Sequence, residues 1–207
     1  MILYYLGHSC FKLKGRETVV ITDPYDKSVF GKLMPKTKAD IVTVSHSHHD
    51  HCAVDRVDGS PFIINGPGEY EIKGVDIMGI ASTHGPERGK NTIYIYTIDD
   101  LKFCHLGDLG EKLNDRQRET LDGIDVLMIP VGGIYTLNAK EAAFVTNQLE
   151  PKVVIPMHYK TRNLSFNLDP VEKFLEEIGK EEIKPVDKLV VTPSSLPEEM
   201  EVIWLKK

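Results

Sequence analysis

The chain is poor in the residues that staple or anchor a protein, and its charge leans negative. Its 207 residues hold three cysteines, Cys10, Cys52 and Cys104. An odd number scattered along the chain makes no disulfide framework, so a reducing compartment such as the cytoplasm is expected. No run approaches the roughly 20 apolar residues of a membrane-spanning helix. The opening MILYYLGHSCFKLKG has no basic leader followed by an apolar core, so neither export nor membrane insertion is expected. Positive charge is also short: 25 Lys and Arg against 31 Asp and Glu give a formal net charge of −6. That is the wrong balance for neutralising nucleic-acid phosphates over a broad face. Small anions and short oligonucleotides stay open as ligands, because bound metal ions add positive charge that the count omits. Low-complexity tracts, linkers and short repeats are absent, as is the G-x-S-x-G elbow of serine hydrolases. What remains is 41% hydrophobic and 27% charged, a globular composition for which one domain over residues 1–207 is the default.

The first half reads as strands: ILYYL, CFKLK, TVVIT, PFIIN, VDIMGIAST, NTIYIYTI and LKFCHL, with turns at Asn65-Gly66-Pro67-Gly68 and Asp99-Asp100. ADIVTVSH is a continuous apolar run of the kind buried on both faces. After residue 110 helix and strand alternate. Helices are predicted from the caps Asn114 and Asn138, and from Asp169 with Pro170 at the first helical position; DVLMIP and KVVIPMH are buried strands between them. VDKLVVTP and EVIWLKK read as two closing strands. A sandwich of sheets covered by helices fits this order.

The chemistry concentrates in SHSHHDHC, residues 45–52, which holds four of the eight histidines. In an extended segment alternate side chains face one way, so His46 and His48 can grip one ion while Asp50 and His51, where the chain turns, reach a second. His49 is left without a ligand role. Imidazoles and carboxylates at strand ends suit Zn²⁺, Mn²⁺ or Fe²⁺. Taken alone, His84 reads as a loop histidine and Asp108 as an Asx-turn residue. Asp23 suits either a turn before Pro24 or a carboxylate that fixes the tautomer of a metal-bound histidine.

In order, Asp23 in ITDP, H-x-H-x-D-H at 46–51, His84 in ASTHG, Asp108 in HLGD and His158 in VIPMH resemble the metallo-β-lactamase-fold hydrolases. The resemblance implies an α/β fold, a four-layer αββα sandwich of two mixed β-sheets flanked by helices, with the metal site at one edge. It also implies a dinuclear site: His46, His48 and His84 on the first metal, Asp50, His51 and His158 on the second, Asp108 bridging both, and Asp23 in support. The ions expected are two divalent metals, Zn or Mn first and Fe or Ni as further options. His8, in GHSCFKL, matches a segment that opens several branches of the fold and would point into the site as a catalytic, substrate-side or auxiliary ligand group; capping the first strand turn is the other reading. His105 is expected to support a ligand, whereas Cys52 and Cys104 are expected to be small buried side chains.

LGHSCFKL, ITDP and VVIPMHY are similar to the compact UPF0173-type branch and its L-ascorbate-6-phosphate lactonase relatives. That similarity implies hydrolysis of a small, phosphorylated ester, either a phosphodiester or a lactone. The ions would hold a hydroxide nucleophile, and Asp50 would orient it and take its proton. Arg88 and Lys90 beyond His84, and Lys160 and Arg162 beyond His158, lie on loops that could bind a phosphate or simply face solvent. A minimal nuclease and a non-catalytic metal-binding module are the competing classes, and a homo-oligomer stays open.

Overall fold

A computed structural model describes residues 1–207. The chain runs β1 (Ile2–Gly7), β2 (Cys10–Lys14), β3 (Val19–Thr22), α1 (Lys27–Phe30), β4 (Thr37–Lys38), β5 (Ile41–Thr43), β6 (Val57–Asp58), β7 (Phe62–Ile64), β8 (Gly68–Ile72), β9 (Val75–Thr83), β10 (Lys90–Ile98), β11 (Leu101–His105), α2 (Asp115–Thr120), β12 (Val126–Pro130), α3 (Ala139–Leu149), β13 (Val153–Met157), α4 (Val171–Glu177), β14 (Leu189–Val190) and β15 (Glu201–Val202). Two mixed sheets form, ordered β14-β1-β2-β3-β5-β7 and β15-β13-β12-β11-β10-β9-β8, with β4 and β6 as a small separate pair. Hairpin strands pair antiparallel, while β3-β5-β7 and β11-β12-β13-β15 are parallel.

Period-two alternation explains how the first sheet is covered on both faces. Phe11, Leu13, Val20 and Ile41 join a 44-residue core shared with the second sheet, while their neighbours Cys10, Ile21 and Val42 join a separate ten-residue cluster on the outer face. Tyr96 and Thr43 join the sheets through a hydroxyl pair at 2.7 Å, and the Tyr94 hydroxyl donates to the Val44 carbonyl at 3.0 Å. Each such buried bond is worth about 1 kcal/mol net. The strands β12 and β13 are buried at every position, as their apolar runs require. Over the second sheet, α3 packs on α4 and β12, and Gln117 of α2 donates to the Ala81 carbonyl of β9. Over the first sheet the cover is thinner, with the single turn α1 and the irregular segments around it.

Asn114 and Asn138 cap α2 and α3, each in a reciprocal capping box. The third cap differs from the sequence expectation: Pro170, in extended conformation, is the N-cap of α4, so the helix starts one residue later. Asp169 spends its carboxylate on Lys173 Nζ at 2.7 Å instead. The closing strands shrink to the two-residue β14 and β15 plus one bridge between Val186 and Leu205. The β10–β11 hairpin turns at Asp99-Asp100 with φ of 52° and 64°, the paired left-handed geometry whose twist matches a hairpin. No helix is long and apolar enough to cross a membrane.

Candidate metal centre

Every predicted metal ligand, with His8 and Asp23, lies just past the carboxyl end of a strand: His8 after β1, Asp23 after β3, the 45–52 cluster after β5, His84 after β9, Asp108 after β11 and His158 after β13; His105 is the last residue of β11 itself. ADIVTVSH pairs as strand only to Thr43, because the next residues turn to serve the site. The Ser45 amide donates to Asp23 Oδ1 at 2.7 Å rather than to a neighbouring strand. His8, Asp23 and His158 have φ of 60°, 37° and 51°. Left-handed backbone at non-glycine residues costs about 1–3 kcal/mol each, and it persists only where the surroundings over-determine it. They do so here: His158 N–H donates to the His8 carbonyl at 2.9 Å, the Tyr5 hydroxyl donates to the same carbonyl at 2.9 Å, and Asp23 N–H donates to the Thr43 carbonyl at 2.9 Å.

The side chains converge in three groups with ligand atoms within 4.8 Å of one another: His46-His48-His84 and His8-Asp50-His51-His158, which match the two expected ligand sets, and Asp23-His46-His51, in which Asp23 supports the rings from behind. Asp108 sits between the first two. Its Oδ2 lies 3.1 Å from His84 Nε2, 3.2 Å from His158 Nε2, 3.3 Å from His51 Nε2 and 3.9 Å from His46 Nε2. The structure thus brings together all seven residues expected to hold metal, and it adds His8, whose Nε2 lies 3.1 Å from Asp50 Oδ2. His49 is exposed and belongs to none of the groups.

The supporting bonds fix which nitrogens face inward. Asp23 Oδ2 takes the Ser45 hydroxyl at 2.6 Å and His51 Nδ1–H at 2.8 Å. With its hydroxyl proton given to Asp23, Ser45 Oγ accepts from His46 Nδ1–H at 2.9 Å. Both rings therefore present an unprotonated Nε2 to the interior when neutral. His105 touches no ligand side chain. Its Nδ1 accepts from Gly107 N–H at 3.1 Å and its Nε2–H donates to the Ser9 carbonyl at 2.8 Å, which ties the segment of His8 to that of Asp108.

Asn91, which reads in the sequence as an ordinary strand residue, is the main support of Asp108. Its Oδ1 accepts from Asp108 N–H at 3.0 Å, and its Nδ2 donates to Ser82 Oγ and the Leu106 carbonyl. Gly107 has φ of +58° and lies so close to Asn91 Oδ1 and Ser45 that a β-carbon would collide with both. Gly110 likewise lets the loop lie against the His84 carbonyl, 2.7 Å from where a β-carbon would stand.

The electrostatics demand positive charge. Burial pulls the His51 imidazole down, but Asp108 and Asp23 on either side overcome it and hold the ring's pKa well above its ordinary value. Burial pushes the Asp108 carboxyl up, yet His158 and His51 keep it well below the usual carboxylate range. Asp50 is treated the same way by burial, then His8 and His51. Burial and the neighbouring His51 take His46 down to about 3, and burial with His158 takes His8 down to about 4. His46 Nε2, His51 Nε2, His84 Nε2 and Asp108 Oδ1 are buried without hydrogen-bond partners. Four buried polar atoms without partners in one place, on imidazoles and a carboxylate, are costly unless a cation takes them, so the donor set fits divalent metal.

Above these atoms lies a cavity of about 350 Å³ lined by His48, His49, Asp50, His84, Arg88, Asp108, Tyr135, His158 and Phe166. Of the four basic residues singled out in the sequence, Arg88 lines it and Lys90, Lys160 and Arg162 do not. Tyr135 and Phe166 carried no sequence signal beyond being aromatic. Two larger hollows of about 470 and 450 Å³ lie between α2 and the strands β8 and β9, away from the histidines. Size alone therefore does not mark the site. Cys104 is buried as expected, but Cys52 is only half-buried, because it closes the histidine turn with its thiol on the Ser47 carbonyl at 3.5 Å.

A sequence model for the beta-lactamase superfamily domain matches residues 2–158. The chain is 30% identical over 187 residues to a UPF0173 metal-dependent hydrolase of Thermoplasma volcanium, with 75% of this chain and 82% of that one covered. It is 28% identical over 189 residues to one from Pyrococcus horikoshii, covering 76% and 84%. A crystal structure from Thermotoga maritima, described as a Zn-dependent hydrolase of the metallo-β-lactamase superfamily, superposes with a TM-score of 0.83 at 39% identity, covering 99% of this chain and 97% of that one. Igni18, a metallo hydrolase from Ignicoccus hospitalis, shares the fold with a TM-score of 0.67 at 21% identity over 100% and 96% of the two chains.

Proposed function

Because the chain belongs to the metallo-β-lactamase superfamily and is of the UPF0173 type, we propose that it is a metal-dependent hydrolase of small anionic esters, with phosphodiesters and lactones as the bonds to test first. The observation that carries this reading is Asp108 Oδ2 standing within 3.1–3.9 Å of four imidazole nitrogens drawn from both ligand groups. His46, His48 and His84 would hold one ion, Asp50, His51 and His158 the other, and Asp108 both. Divalent metal held by these residues would supply Lewis acidity there, lowering the pKa of a water toward neutrality and stabilising the charge gained by the substrate oxygen.

The chain's own residues do the rest. Asp50 is the base, kept ionised by His8 and His51, and its Oδ2 is oriented by His8 Nε2–H. A carboxylate held in one rotamer and ionised at neutral pH can take a proton from a nucleophilic water without first losing its own. Asp23 and Ser45 lock the rings of His51 and His46, and the buried floor excludes bulk water from all but the open side. Metal-free protein restored with Mn²⁺ or Zn²⁺ is expected to hydrolyse bis(p-nitrophenyl) phosphate or a lactone, and His48→Ala to abolish that activity. No turnover across phosphoester, lactone and thioester panels would overturn the reading.

A further inference from the structure

Resting on the hydrolase reading, and going past it to the substrate, we propose that Arg88 selects substrates with a second anionic group away from the bond cleaved, that Tyr135 is its positioning residue, and that Phe166, packed on Tyr135, lines the cleft beside it. The Arg88 guanidinium lies 4.1 Å from the centre of the Tyr135 ring. A guanidinium stacked on an aromatic face gives up little of its donor edge, which stays free for a carboxylate or phosphate, and the stack limits its motion. Arg88 takes part in none of the ion pairs of the molecule. It is therefore a free cation on the wall of a cavity whose other charged groups are the proposed ligands.

The loop that carries Tyr135 is built at a cost. Ile134 has φ of +52°, a genuine outlier for a β-branched residue, and its side chain is 56% exposed, so packing does not compensate the strain. The same tight turn has Tyr135 N–H donating to the Gly133 carbonyl. What the strain delivers is the placement of Tyr135 between Arg88 and Phe166, whose ring centre is 6.2 Å from that of Tyr135. Phe166 in turn stands edge-on to His8 at 5.3 Å and 6.5 Å from His158, which connects the cleft to the floor. A cleft of about 350 Å³ is at the small end of ligand sites. It has room for one small molecule with an apolar middle, its reactive bond at the histidines and a charged end at Arg88.

The test is calorimetric binding to the metal-loaded protein of two phosphonates that cannot be hydrolysed, 4-carboxybenzylphosphonate and 4-methylbenzylphosphonate. Wild type is expected to bind the carboxylated compound about tenfold more tightly. Arg88→Ala should erase that preference while leaving the methyl compound's affinity within about twofold. Tyr135→Phe keeps the stack and should keep the preference, whereas Tyr135→Leu should lose most of it. A preference that survives Arg88→Ala, or none in wild type, overturns the proposal. Because neither compound is cleaved, this outcome is independent of the turnover assays that decide the hydrolase reading.

Discussion

The floor and the mouth of the site are built in opposite ways. On the floor His51, Asp108 and His158 are fully buried or nearly so, and the rings of His46 and His51 are each held by a named partner through Nδ1. At the mouth Arg88 is exposed, Tyr135 and Phe166 are half-buried, and the contacts between them are aromatic and cation–π rather than hydrogen bonds. The floor's donors are held by hydrogen bonds, as metal chemistry requires of fixed donors; the mouth is built on loops over that scaffold, where substrate reading is set. Substitutions in the floor should therefore act on metal and stability, and those in the mouth on substrate choice.

The largest effect expected among supporting residues is at Asp23. Asp23→Ala leaves His51 Nδ1 and the Ser45 hydroxyl and amide without their acceptor, and metal affinity should fall roughly 10–100-fold. Competition with a chromogenic chelator reads that change, and unaltered affinity would remove Asp23 from the support of the floor. Asn91→Ala should act next. It strips the Asp108 amide of its partner deep in the protein, and a cost of about 1–3 kcal/mol lowers Tm by several degrees in a chain of this size. A Tm within one degree of wild type would show that water or a shifted loop replaces the amide. The smallest effect belongs to His49→Ala, since that exposed ring lines the cavity without joining either ligand group. Metal content by elemental analysis should stay at the wild-type value, and a loss would blur the line between floor and mouth.

The same division governs what the sequence could reveal. The floor was legible because ligand chemistry tolerates few residue types, and H-x-H-x-D-H at 46–51 followed by His84, Asp108 and His158 left little freedom. Strands whose apolar runs are buried on both faces, β12 and β13, and helices with Asn caps, α2 and α3, were equally plain. Asn91 was invisible because its role depends on a fold contact with residue 108, not on its neighbours. β8 was missed because GEYEI alternates half-buried and exposed positions on an edge strand, and α1 because four residues carry too little periodicity to read. Asp169 misled as a cap because its carboxylate has a better partner in Lys173. The mouth was the least legible part. Four basic residues looked equivalent along the chain, and only the fold separates Arg88 from the other three, by placing it on the cavity wall and on the Tyr135 ring.

The most direct test of the dinuclear reading is metal stoichiometry, measured by elemental analysis on wild type, His48→Ala and His158→Ala purified in parallel under one metal. The expected result is about two ions per chain in wild type and a loss of about one in each variant, from the first group and the second respectively. Full occupancy in both variants, or well under one ion in wild type, would contradict it.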